Sequence, residues 1–195
     1  MKAEMTPEPI RRSALRLRLG GLALCWRRRL LWHTGGLRFA RPRPEVECPY
    51  LRAEHATPLL RRLRGADMAL QRSKVTNLRL GETLSFWRAV GRPTRRRGYV
   101  EGMILRNGRV ASGVGGGLCQ MTNLLYWMTL HTPLTVTERW RHGYDVFPDS
   151  NRTQPFGSGA TCFYNYMDLM VRNDTPDTWR LVLQVTDTPL EGEWR

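Results

Sequence analysis

Residues 113–130 read GVGGGLCQMTNLLYWMTL, in which three consecutive glycines deliver the chain to one cysteine at the head of an apolar run. The chemistry that pattern could do is acyl transfer. If a helix begins near Leu118, the Cys119 thiol lies in its first turn, where N–H groups without intrahelical acceptors and the positive end of the helix dipole favour an anion. The thiolate so stabilised is the nucleophilic form of cysteine. Gly115, Gly116 and Gly117 would let a substrate carbonyl approach the backbone and would leave N–H groups for an oxyanion. With Gln120 they form the candidate substrate-binding set. A general base is also needed, and His142 in ERWRHGYD is the best placed of four histidines, with Asp145 or Asp168 to orient its ring. The plainer reading stands beside this one: cysteine is among the most buried residue types, and a glycine turn before a core helix requires no catalysis. Spacing alone leaves both open. A phosphate cradle is weaker, since GVGGG lacks the Lys-Ser/Thr of a P-loop and the spacing of a dinucleotide fingerprint. Cys162 in ATCFYNY reads as strand core without a role.

The elements that would position these residues can be read from periodicity. After Cys119, Leu124, Leu125 and Met128 follow helical spacing, with Tyr126 and Trp127 widening the stripe. Asn107-Gly108 sits between two short apolar segments and is the turn chemistry of a two-residue hairpin. TCFYNYMDLMVRN and TWRLVLQVT flank Asp174-Thr175-Pro176-Asp177, and Trp179, Leu181, Leu183 and Val185 alternate with more polar residues, so the pair reads as an antiparallel hairpin with one buried face. The expected fold is therefore α+β: an antiparallel sheet packed against a central helix that starts at the Cys119 turn. The N-terminal half reads as mostly helical, from the spacing of Leu59, Leu60, Leu63 and Met68. GRPTRRRG (91–98) reads as a solvated loop. RPRPEVECP (41–49) is a Pro-broken linker, which suggests a basic amphipathic segment over 1–45 and a domain over 46–195.

Composition limits the alternatives. The 195 residues suit one ordinary domain, and 41% hydrophobic content with seven Trp argues for a packed globule. The net charge of +14 is uneven, with 23 Lys/Arg against 7 Asp/Glu in residues 1–100 and 8 against 10 in the remainder. That basic half could meet nucleic acid, anionic lipid or an anionic glycan. No nucleic-acid-binding signature accompanies it, so specific nucleic-acid binding is not expected. The four cysteines lack zinc-site spacing, and no metal or cofactor is expected; they read as reduced thiols. LGGLALCW (19–26) is too short to span a bilayer and lacks an evident cleavage site. It reads first as an Arg-decorated helix packing its leucines on the domain, and second as a membrane-surface helix. The expected location is the cytoplasm or the inner face of the membrane.

The longer motifs carry a resemblance. GGGLCQMTNLLYWMTLHTPLTVTERWRH, FPD and GATCFYNYMDLMVRNDT, with CPYLRAEHATPLL, KVTNLRL and GETLSFWRAVGRPT upstream, resemble the VanW-like family from about Arg11 onward. The resemblance implies a link to glycopeptide resistance or cell-wall metabolism, and peptidoglycan or a precursor peptide as partner. Some family members at the cell envelope resemble L,D-transpeptidases that work through an enzyme thioester. Carried over, Cys119 matches the nucleophile, His142 the base and Gly115–Gly117 the supporting turn. A non-catalytic accessory that binds cell-wall peptide is the alternative. One departure is visible: Asn77-Leu78-Arg79-Leu80 runs directly into Gly81-Glu82, where the family usually holds a longer segment.

Overall fold

The computed structural model describes residues 13–41, 47–58, 77–106, 109–141, 158–186 and 188–195. In chain order the elements are α1 (Ala14–Thr34), β1 (Arg38–Phe39), β2 (Ala53–Pro58), β3 (Asn77–Leu78), β4 (Glu82–Ser85), α2 (Phe86–Val90), β5 (Glu101–Arg106), β6 (Arg109–Val114), α3 (Leu118–Thr129), β7 (Thr135–Glu138), β8 (Met170–Arg172), β9 (Trp179–Val185) and β10 (Pro189–Trp194). One sheet has the order β1-β4-β8-β7, a second the order β2-β10-β9-β3, and β5-β6 form a separate hairpin. All pairings are antiparallel except β1 with β4. The architecture is α+β.

The apolar stripe read after Cys119 is the core side of α3, where Leu118, Met121, Leu124, Leu125 and Met128 are buried. The helix packs on β2 and β10 and also reaches β7 of the other sheet. Close approach to β10 depends on Gly192, because a Cβ there would lie 2.6 Å from Met128 Cε. Trp194, fully buried, donates its indole N–H to Thr129 Oγ1 at 3.3 Å. Each large apolar side chain sealed in this layer contributes about 1.5–3 kcal/mol.

Two expectations differ from the structure. β8 and β9 are not a hairpin: β8 pairs with β4 and β7, whereas β9 pairs with β10 and β3. The chain crosses between sheets there because Asn173, fully buried, donates its carboxamide to the carbonyls of Leu78 (2.9 Å) and Asp177 (2.7 Å) and accepts from Thr175. The N-terminal half, read as mostly helical, holds α1 and α2 among its described residues. β2, β3 and β4 all fall within it, and Leu59, Leu60, Leu63 and Met68 lie outside the described residues. Finally, α1 does not pack its leucines on the domain. Leu15, Leu19, Leu22, Trp26 and Leu30 are each more than half exposed.

What docks α1 is a different face. Gly21, Cys25, Arg28 and Trp32, spaced i, i+4, i+7 and i+11, are its half-buried positions. Arg28 makes a bidentate pair with Glu138, both contacts at 2.5 Å, and donates to the Tyr166 carbonyl. Glu138 in turn accepts the Trp140 indole N–H and the Asp168 backbone N–H. Between α2 and β5, Arg95–Arg97 form a 3-10 turn in which Arg95 and Arg96 are exposed, in keeping with the solvated-loop reading, and Arg97 is half-buried.

Candidate functional site

Helix α3 starts at Leu118, so Cys119 occupies its first turn, half-buried. The N-cap is Gly117, at φ 88°, a left-handed conformation that side chains other than glycine rarely adopt. Gly116 has a second constraint, since a Cβ there would lie 2.2 Å from the Gly102 carbonyl carbon. The glycines thus allow the β5-β6 hairpin to fold back against the turn. Their N–H groups are consumed in doing so, which corrects the expectation that they would be left for an oxyanion. Gly115 donates to Val100, Gly116 to Gly113 and Gly117 to Met103. Gln120, also expected to meet substrate, donates its carboxamide to the Pro58 carbonyl at 3.0 Å.

The neighbours of the Cys119 sulfur come from residues 161 and 162. Cys119 Sγ lies 3.7 Å from Thr161 Oγ1, 3.8 Å from Cys162 Sγ and 3.9 Å from the Cys162 carbonyl oxygen. Their stretch is fastened along the first turns of α3: Thr122 Oγ1 donates to the Ala160 carbonyl (2.5 Å), Asn123 Oδ1 accepts the Ala160 N–H (2.6 Å), and Arg139 donates twice to the Gly159 carbonyl. Thr161 also receives cover from the other side, its N–H bonded to the Trp140 carbonyl at 2.7 Å. Cys162 is not part of a strand, as its sequence context suggested; it is the buried partner of Cys119. Its pKa is raised well above the usual thiol range, first by the hydrogen bond with Cys119 and then by burial. It therefore remains a thiol.

Asp168 is fully buried, and its charge is among the causes that raise the Cys162 pKa. Ser85 Oγ donates to Oδ2 at 2.5 Å, and the N–H groups of Trp87 and Leu169 donate to Oδ1. Burial outweighs these donors and raises its pKa to about 7. Its contacts join the start of α2 to the approach to β8. His142 and Asp145 lie outside the described residues. The segment that carries them leaves from Trp140–Arg141 and returns at Ser158–Gly159, and both ends adjoin the stretch that holds Thr161 and Cys162. Among the described residues no group of three or more His, Cys, Asp or Glu could hold a metal ion.

Sequence reasoning missed Cys162 and Thr161 as neighbours of Cys119. Their separations of 43 and 42 residues leave no spacing signal to read. The only cue available was that both cysteines sit within long family motifs.

A family model described as "VanW like protein" matches residues 61–195. The chain belongs to the VanW-like family. This VanW-like chain is 36% identical over 182 residues to the "Vancomycin B-type resistance protein VanW" of Enterococcus faecalis (strain ATCC 700802 / V583), covering 85% of the chain and 66% of that relative. It thus spans just under two thirds of that protein's length. A shorter match, 38% identical over 65 residues, is to the "Uncharacterized protein YoaR" of Bacillus subtilis (strain 168), covering 33% of the chain and 22% of that protein. No solved structure matches the VanW-like chain.

Proposed function

We propose that the protein is a cysteine-dependent acyltransferase acting on peptidoglycan-type peptides, in the manner of an L,D-transpeptidase, and that it serves glycopeptide resistance or cell-wall metabolism. The observation that supports this reading best is the placement of Cys119 Sγ in the first turn of α3, 3.8 Å from a buried thiol that stays protonated. A nucleophilic sulfur needs a positive electrostatic environment and a donor, and the helix N-terminus and Cys162 supply them. The name of the Enterococcus relative, a vancomycin B-type resistance protein, supports the glycopeptide-resistance context.

In the proposed reaction His142 takes the Cys119 proton, and the thiolate attacks the carbonyl carbon of a stem-peptide bond. The C–N bond breaks as the imidazolium gives that proton to the leaving amine, which yields a thioester on Cys119. An acceptor amine from a second stem then attacks the thioester, its proton passes to His142, and the thiolate departs. The imidazole is oriented by Asp145 or Asp168, of which Asp145 fits better because the acceptor positions of Asp168 are engaged by Ser85, Trp87 and Leu169. The test is covalent acylation of Cys119 by a cell-wall tetrapeptide. Failure of every such peptide to acylate the wild-type chain would favour the binding-accessory reading.

The exposed side of α1 fits a location at a membrane surface, with the domain over 46–195 carrying the chemistry. Leu15, Leu19, Leu22, Trp26 and Leu30 share one side at 100° per residue with Arg16, Arg18, Arg27 and Arg29 beside it, and Leu17, Leu24 and Leu31 are exposed elsewhere around the helix. Such a face calls for an apolar cover with negative charge, which an anionic bilayer surface provides. Among the described residues no helix is long and apolar enough to cross a membrane.

A further inference from the structure

At the C-terminal end of α1, beside β1, lies an open cavity of about 460 Å³ lined by Trp32, His33, Arg38, Arg41, Glu82 and Arg88 among others. Its volume falls in the range of small-molecule sites, roughly 300–1,000 Å³. Its chemistry is one-sided. Among the described residues none of Arg38, Arg41 and Arg88 has a carboxylate within ion-pair distance. The acid in the lining, Glu82, is only 3% exposed, and its Oε2 accepts the Arg79 N–H.

Arg38 and Arg41 are exposed at the open side of the cavity, and Arg88 is held by aromatic rings. Arg88 is held over the ring of Phe39 at 4.2 Å and over Trp32 at 5.5 Å. Burial and the neighbouring Arg41 both lower the Arg88 pKa. The Trp32 indole N–H is buried and has no acceptor among the described residues. A concentration of cations is costly, and an anion relieves it. Planar guanidinium forks match phosphate oxygens bidentately.

We infer that this cavity binds a phosphate-bearing anion, held by Arg38, Arg41 and Arg88. The phosphate comes either from a soluble diphosphate or from a lipid head group, and the site does not depend on the acyl-transfer reading.

The experiment uses the full chain at low ionic strength, titrated calorimetrically with inorganic pyrophosphate. Saturable binding is expected, weakened by about 10-fold or more in Arg38→Gln/Arg41→Gln as charge-assisted bonds are lost. The control Arg95→Gln/Arg96→Gln, which removes the same charge from an exposed turn, should change it by less than about 2-fold. Arg41→Gln alone, on an exposed side chain, keeps the test open should the double variant misfold. Co-sedimentation with phosphatidylglycerol vesicles identifies the source. Vesicle binding that falls in the pocket variant and is competed by pyrophosphate indicates a lipid phosphate, whereas vesicle binding unchanged by that variant indicates a soluble diphosphate. Equal losses in pocket and control variants, or no saturable pyrophosphate binding by the wild type, would overturn the inference.

Discussion

Cys119 Sγ and Cys162 Sγ lie 3.8 Å apart although 43 residues separate them in the chain. Neither is in a disulfide. The candidate nucleophile therefore has a second thiol as its immediate neighbour, and the pair should behave as one unit in both ionisation and oxidation.

Oxidation gives the first prediction. A disulfide needs the sulfurs to close to about 2.05 Å, a short movement from their present separation. Treatment with diamide, which accepts the two hydrogens of the dithiol, should link Cys119 to Cys162, protect Cys119 from iodoacetamide and be reversed by dithiothreitol. In Cys162→Ser, the same treatment should leave Cys119 open to iodoacetamide. Peptide mapping by mass spectrometry reads both results, and a Cys119 that stays fully alkylatable in oxidised wild type would contradict the pairing.

Asp168 gives a pH dependence with a defined sign. Its folded-state pKa is raised from 3.8 to about 7, chiefly by burial. Below about pH 4 both folded and unfolded states hold the proton; between about 4 and 7 the folded state keeps it while the unfolded state releases it. This group's contribution to stability is thus complete at low pH, falls as pH rises through that window by at most about 1.4 kcal/mol per pH unit, and levels off above about 7. Asp168→Asn, whose carboxamide can still meet Ser85, Trp87 and Leu169, should flatten the change in unfolding free energy between pH 4 and 7. Equal slopes for the two proteins in urea titrations would rule this out.

The exposed side of α1 predicts salt-sensitive binding to vesicles containing phosphatidylglycerol, with little binding to phosphatidylcholine alone. Leu22→Glu/Trp26→Glu alters the outward face and leaves the Arg28–Glu138 docking contacts in place. It should lower vesicle binding by about 10-fold or more, given the apolar area removed from the lipid contact. Unchanged co-sedimentation would show that another surface makes the contact, or none.

Local signals were the legible ones. The start of α3 at Leu118 and its buried Leu124, Leu125 and Met128 follow from a glycine turn and a 3.6-residue period, both properties of neighbouring residues. The pairing of Arg106 with Arg109 in the β5-β6 hairpin agrees with the Asn107-Gly108 signal. What was illegible depends on residues distant in sequence. Asp174-Thr175-Pro176-Asp177 has the composition of a hairpin turn, yet the bond from Asn173 to the Leu78 carbonyl, 95 residues away, accompanies a crossing between sheets. The same holds at the site. The glycine N–H groups look available until β5 folds back to supply the Val100 and Met103 carbonyls, and Cys162 looks like ordinary core until it is placed beside Cys119. The leucines of α1 signalled a helix correctly, but an apolar residue does not state what will cover it.

The most direct measurement of the central claim is intact-mass and peptide-mapping mass spectrometry of the chain after incubation with a cell-wall tetrapeptide. The account predicts an adduct of the donor peptide minus its departing amino acid, carried on Cys119, labile to hydroxylamine as a thioester is, absent from Cys119→Ala, and formed about 10²–10⁴-fold more slowly in His142→Ala through loss of the general base. An adduct that persists in Cys119→Ala, or an unmodified wild-type chain with every donor peptide, would contradict it.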